Sequence, residues 1–166
     1  MTYSIVYASQ TGNTKMLAEA LRDALPAADC LYFGTPDASA LAAERIYIGF
    51  WTGKGSADAV TSEFLSSLTT QDVFLFGTCG FGGDATYFSR ILDNVSAKIP
   101  QGVHLCGRYM CQGKMPQSVR DRYERLAADD PQKAPQMANM IANFDAALSH
   151  PDAADVQGLL DVVCAL

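Results

Sequence analysis

Residues 3–25, YSIVYASQTGNTKMLAEALRDAL, decide the fold class. They open on a short, nearly continuous apolar run over 3–8 and break at the polar stretch Ser9 to Asn13. They resume as a stripe of Met16, Leu17, Ala20, Leu21, Ala24 and Leu25. An apolar run of that length without alternation reads as a strand covered on both faces. The stripe, at three- and four-residue spacing, is one face of a helix over roughly 13–25, and Pro26 ends it. A buried strand feeding straight into a helix opens a βαβ unit.

The same alternation continues along the chain. Residues 29–33 (DCLYF) read as a second strand and 45–50 (RIYIGF) as a third. A helix follows over 57–68, with Val60, Phe64, Leu65 and Leu68 inward. The fourth apolar run is 72–78 (DVFLFGT), then a helix over 85–95 buries Phe88, Ile91, Leu92 and Val95. The fifth run is 102–110 (GVHLCGRYM). Pro116 suits the first turn of a helix to about 127, because that turn leaves its N–H groups unpaired anyway. Another helix spans roughly 133–149. Residues 152–164 are again apolar-rich, with Asp152, Asp155 and Asp161 keeping one side polar. Five buried-type strands alternating with helices predict an α/β fold, a parallel sheet with helices on both faces. Periodicity leaves the strand order open. Ligands in such sheets sit beyond the carboxyl ends of the strands, so the loops after Ala8, Phe50, Thr78 and Tyr109 are where chemistry is expected.

Of 166 residues, 49% are hydrophobic and 18% charged, a balance that excludes a disordered, collagen-like or coiled-coil chain. No apolar run approaches the roughly 18 residues that would mark a membrane span. The opening Met1-Thr2-Tyr3-Ser4 lacks a basic region, so no leader is expected. The net charge of −6 disfavours nucleic acid and anionic membranes and steers toward a basic partner. Five widely spread cysteines do not form a disulfide framework and fit a reducing cytoplasm.

Four loops carry the candidate chemistry. Ser9-Gln10-Thr11-Gly12-Asn13-Thr14 places three hydroxyls and two amides around one glycine at a helix start, where hydroxyls and free N–H groups can ring a phosphate. It has no Gly-Lys-Ser/Thr, so it is not a nucleotide-hydrolase loop. A plain cap would also favour Ser, Thr or Asn, but four such residues exceed what a cap needs. Trp51-Thr52-Gly53-Lys54-Gly55-Ser56 sets the only tryptophan at a strand end, where it can stack on a flat ring or merely lid the core. Thr78-Cys79-Gly80-Phe81-Gly82-Gly83-Asp84 lets backbone approach a ligand closely. Residues 80–85 also match G-x-G-x-x-A, a weak dinucleotide signal: it follows the fourth strand and lacks an acidic residue about 20 positions on. The last loop is Met110 to Pro116. Cys106, Cys111, His104 and His150 lack metal-ligand spacing, and Cys79 has no His near it in sequence, so neither a metal site nor a catalytic residue is expected.

The stretch 5–14 (IVYASQTGNT) resembles the phosphate-binding loop of flavodoxins. The resemblance continues through IYIGFWTGKG at 46–55, FLFGTCGFGGD at 74–84 and CQGKMPQSVRDRYERL at 111–126, and covers residues 2–155. Within the family it is nearest to the flavodoxin-like proteins encoded beside bacterial bilirubin reductases. Its markers there are GFWTGKG, GFGGD, CQGKMP with VRDRYE, and NFDAALSHPDAADV at 143–156. The resemblance implies a flavodoxin-like three-layer sandwich, a five-stranded parallel sheet in the order 2-1-3-4-5, and one non-covalent FMN. It implies that Ser9, Gln10, Thr11, Gly12, Asn13 and Thr14 hold the ribityl phosphate. Phe50, Trp51, Thr52, Gly53, Lys54 and Gly55 then belong to the loop beside the isoalloxazine, with Trp51 packed on the ring and Gly53 near the peptide that answers flavin N5. Thr78, Cys79, Gly80, Phe81, Gly82 and Asp84 line the pyrimidine edge and outer face, where Phe81 or Tyr87 stands for the tyrosine common in flavodoxins. Lys54 departs from the acidic surroundings usual in short flavodoxins and should favour the anionic reduced ring.

The resulting expectation is a monomeric, cytoplasmic redox carrier exchanging electrons with a donor protein and an acceptor reductase, the latter acting on bilirubin or another linear tetrapyrrole. The alternative is a flavin-dependent reductase acting directly on a small acceptor such as a quinone; a cofactor-free module would have eroded the 9–14 loop, which is intact. Residues 1–151 are expected to form the FMN-binding domain, and 152–166 an extra helical segment packed on it.

Overall fold

The computed structural model describes residues 1–82 and 84–166. Strand β1 (Tyr3–Tyr7) leads into helix α1 (Asn13–Ala24), then β2 (Cys30–Gly34), β3 (Arg45–Gly53) and the two-residue β4 (Ser56–Ala57). Helix α2 (Ala59–Leu65), β5 (Asp72–Cys79), α3 (Ala85–Ser96) and β6 (His104–Gln112) follow, then α4 (Gln117–Asp129), α5 (Ala134–Ala147) and α6 (Ala153–Cys164). The sheet runs β2-β1-β3-β5-β6 with every long pair parallel. Counted over the five long strands, that is the expected 2-1-3-4-5. The sixth strand, β4, is a short antiparallel addition to the end of β3.

Alternation along the central strands builds a core on each face. Ile46, Ile48, Phe50, Val73 and Leu75 point to one side, where Leu65, Ile91 and Val95 of α2 and α3 meet them. Tyr47, Phe74 and Phe76 point to the other, against Leu17 and Leu21 of α1 and Leu159 and Val163 of α6. Leu159 has no solvent exposure and Val163 only 8%. The segment beyond 151 is therefore one of four helices that cover the sheet, and the core runs unbroken across residue 151. Helices α4 and α5 form a hairpin packed chiefly on each other.

Three boundaries differ from the sequence expectation. The third strand runs through Gly53 instead of stopping at Phe50, because Phe50 and Trp51 still pair with Gly77 and Thr78 of β5. Thus Trp51-Thr52-Gly53 is strand, and only Lys54-Gly55 forms the turn of a tight hairpin. Both turn residues take positive φ, 51° and 76°, as a two-residue hairpin turn requires. Helix α2 is shorter at its start because β4 claims Ser56 and Ala57 and Asp58 caps the helix, accepting from Thr61 N at 2.9 Å. Strand β6 begins at His104, after a turn through Gly102 (φ 96°), and its pairing with Cys79 carries it to Gln112.

Candidate functional site

The carboxyl ends of β1, β3, β5 and β6 open onto a cavity of about 360 Å³. From the first loop, Ser9, Gln10, Thr11, Asn13 and Thr14 line it. Gly12 does not line it; in the left-handed conformation (φ 87°) it turns the chain into α1 without offering a side-chain cap. No acid stands in the first turn of α1, so the positive end of its dipole is left to an anion. Four of the loop's side chains already have chain partners. Ser9 Oγ accepts from Lys15 N at 3.3 Å and keeps its own proton to donate. Thr11 Oγ1 and Asn13 Nδ2 donate to the Lys114 carbonyl at 3.3 and 2.9 Å. Thr14 is buried, its hydroxyl donating to the Phe50 carbonyl at 3.3 Å and lying 3.1 Å from Thr78 Oγ1. Thr14 and Thr78 thus tie α1 to the end of β5 as well as forming cavity floor.

From the hairpin, Trp51, Thr52, Lys54 and Gly55 reach the cavity. Phe50 does not: the residue before Trp51 faces the opposite side of the strand, and its ring is fully buried in the core. Gly53 also stays off the wall. A Cβ there would lie 3.3 Å from the Trp51 ring, so its absence lets the indole sit low over the strand. Asn94 Nδ2 of α3 donates to the Gly55 carbonyl at 3.0 Å and holds the turn from behind.

Thr78, Cys79, Gly80, Phe81 and Tyr87 form the facing wall. Phe81 and Tyr87 pack edge-to-face, ring centroids 6.4 Å apart, and Phe81 is 37% exposed. Gly82 and Asp84 instead line a second, more open recess that shares Phe81 and Tyr87 with the cavity. Asp84 caps α3 by accepting from Thr86 N at 2.8 Å. Gly83 of the third loop lies outside the described residues. Cys79 donates its thiol to the Phe81 carbonyl at 2.8 Å, and burial pushes its pKa up to about 12. Buried and so raised, it is a neutral thiol at physiological pH.

The fourth wall was missed at the residue level: Lys114, Met115, Pro116 and Val119 close the cavity. The rule that ligands gather at carboxyl ends points to this loop, and Lys114 was its only cation. Among the described lining residues there is no carboxylate and no histidine, and neither Lys54 nor Lys114 makes an ion pair. Away from the cavity, ligand atoms of His150, Asp152 and Asp155 gather within 4.8 Å of one another. They wire the start of α6: Asp152 accepts from Ala154 N and Asp155 N, and Asp155 accepts from Asp152 N and contacts His150 Nδ1 at 2.6 Å.

A five-stranded parallel sheet of this order, with an anion-ready loop after its first strand and aromatic walls on the next two, defines a flavodoxin-type fold and site. The flavodoxin-domain family model matches residues 4–164, and the chain belongs to that family. It is 39% identical, over 94% of its length and 90% of the relative's, to the flavodoxin-like domain-containing protein BilS of Clostridium symbiosum (strain WAL-14163). Another protein of that description, from Clostridioides difficile (strain CD3), is 24% identical over 92% of this chain and 88% of its own length. Among solved structures, a flavoprotein of Lactobacillus acidophilus crystallised with FMN superposes with a TM-score of 0.51 at 16% identity, covering 66% of this chain and 93% of that one, a likeness of fold.

As a flavodoxin-domain protein the chain takes FMN as its cofactor. The cavity fits it. The buried Asn13 Oδ1 and Thr52 Oγ1 have no partner among the described residues, although both residues line the wall. An unserved buried acceptor and hydroxyl in a site rich in polar groups need a ligand with hydroxyl and carbonyl groups of its own.

Proposed function

We propose that the chain is an electron carrier of the flavodoxin type, holding FMN in this cavity and passing electrons to a reductase that acts on bilirubin or a related linear tetrapyrrole. Bound FMN supplies one- and two-electron chemistry. The observation that carries the reading is the composition of the wall: hydroxyls, amides and aromatic rings, with no carboxylate or histidine among the described residues to serve as a general acid or base. The first loop and the start of α1 receive the phosphate; Trp51 and the Phe81–Tyr87 pair flank the ring; Lys54 at the turn tip favours extra negative charge on it. Gly82 and Asp84 shape the outer edge from behind, while Gly12 and Gly53 give the backbone its turn and its close approach. The tetrapyrrole assignment draws on the likeness to proteins named BilS.

The chain acts in the cytoplasm as a monomer that meets its donor and acceptor in turn. Its net charge of −6 steers encounter with a basic docking face. The cavity itself carries two cations, Lys54 and Lys114, which answer the charge of the FMN rather than that of the partner. Stopped-flow mixing of the reduced, FMN-loaded protein with the candidate reductase tests this. Rapid reoxidation that slows as salt rises is expected, because exposed charges are screened beyond about 8 Å at physiological ionic strength. Rapid reoxidation by the tetrapyrrole alone, unaffected by the reductase, would make the chain itself the enzyme.

A further inference from the structure

Two motifs singled out in the sequence, CQGKMP and NFDAALSHPDAADV, have most of their residues outside the cavity wall, yet each sends one amide to the same place. Asn143, on α5, donates through Nδ2 to the Gly80 carbonyl at 3.0 Å. Its Oδ1 accepts from Gly82 N at 3.4 Å and from Gln112 Nε2 at 3.2 Å. Gln112, at the end of β6, also donates to the Gly80 carbonyl, at 3.1 Å. Four hydrogen bonds thus close a ring around the two glycines that flank Phe81. The fit is tight: a Cβ on Gly82 would fall 2.2 Å from the Gln112 amide, and one on Gly80 2.4 Å from Met115 Sδ. One residue earlier, the Cys79 carbonyl accepts from Gly113 N at 2.9 Å.

We infer that Asn143 is a positioning residue for the cofactor loop: with Gln112 it latches the Gly80–Gly82 backbone to the α4–α5 hairpin and so fixes the Phe81 wall of the cavity. A primary amide suits this task because it donates and accepts at once, serving a carbonyl and an N–H of the same loop. The hairpin packs chiefly on itself, so an ordinary packing role for it would not need to reach the glycine loop. In this arrangement the hairpin buttresses the ring-facing wall from behind. The inference rests on the FMN reading for its effect on the cofactor, while the latch itself is a property of the chain.

The test compares the full chain with Asn143→Leu, Asn143→Asp and Gln112→Leu. Asn143→Leu removes both arms; Asn143→Asp keeps the acceptor toward Gly82 and loses the donor toward Gly80. Loss of the latch is expected to raise the FMN dissociation constant about tenfold in Asn143→Leu, with a smaller rise in Asn143→Asp. The midpoint potential and visible band shape of bound FMN should change with it. Amide exchange at residues 80–82 should quicken in the FMN-free protein. Gln112→Leu should behave like Asn143→Leu, and the double variant should be little worse than either, because both act through one network. A lowered melting temperature with FMN affinity within about twofold of the parent, the midpoint potential unchanged, and exchange at 80–82 unaltered, would reduce Asn143 to ordinary packing and overturn the inference. If Asn143→Leu does not fold, the same comparison is decided on Asn143→Asp. A parent chain that takes no FMN would refute the functional reading, and exchange in the FMN-free protein would still decide the latch.

Discussion

Trp51 is the side chain on which the flat-ring reading of the cavity most depends. It ends the pairing of β3 with β5, opposite Thr78, lines the cavity, and leans over Gly53. In Trp51→Ala, bound FMN should fluoresce more brightly and bind more weakly by about 1–3 kcal/mol, the worth of lost stacking and apolar burial. Equal affinity with emission still dark would hand the stacking role to Phe81 or Tyr87. The cysteines give a second check. Cys79 and Cys111 are buried and their thiols are pushed upward by that burial, whereas Cys164 is exposed. Alkylation of the native protein near pH 8 should therefore mark Cys164 and spare Cys79 and Cys111 until the chain is unfolded. Fast labelling of Cys79 would contradict its burial in the cavity wall.

Helix α6 has a structural weight that its sequence position conceals. Leu159 is fully buried on the same face as Leu17, Leu21 and Phe74. Leu159→Ala should lower stability by about 2–5 kcal/mol in urea unfolding. A chain ending at Pro151 should lose cooperative folding, since the part of that sheet face beside β6 which α6 covers would lie open, with only α1 left on the rest. A truncated chain that melts like the parent would make 152–166 the separable appendage that the apolar pattern alone allowed. The strands and most helices were legible because the three central strands are buried on both faces and read as continuous apolar runs, and the helices carry regular stripes. What escaped reading depended on partners far away in sequence. The Lys54-Gly55 hairpin lacks the Asn-Gly signal, and its strand is prolonged by pairing with β5. Phe50 looked like a site residue because it precedes Trp51, but strand alternation sends it into the core. Lys114 and Met115 become cavity wall only once β6 lies beside β5, and Asn143 is an unremarked helical amide until α5 is brought against Gly80.

Charge and titration act over the molecule as a whole. Several carboxyls sit below their ordinary range for local reasons. Asp72 is bonded by His104 and Arg45, Glu44 accepts from Thr2 N, and Asp152 accepts from the first N–H groups of α6. Each is ionised in the fold at a pH where the unfolded chain has begun to bind the proton. Their contribution is complete above the unfolded carboxylate values, near pH 4, and is lost as pH falls through the lower folded values. The urea midpoint should therefore be level above about pH 5 and fall steadily below pH 4. Asp72→Asn should lower it at neutral pH and make the acid fall shallower. A midpoint that rose on acidification would contradict these pairings.

The cavity's assignment as a flavin site is tested most directly by titrating the flavin-free chain with FMN and following flavin fluorescence. Saturation at one FMN per chain is expected, with emission quenched as the ring meets Trp51 and the Phe81–Tyr87 wall, and weaker binding of riboflavin, which lacks the phosphate that the Ser9–Thr14 loop receives. Absence of saturable binding, or riboflavin held as tightly as FMN, would contradict the account.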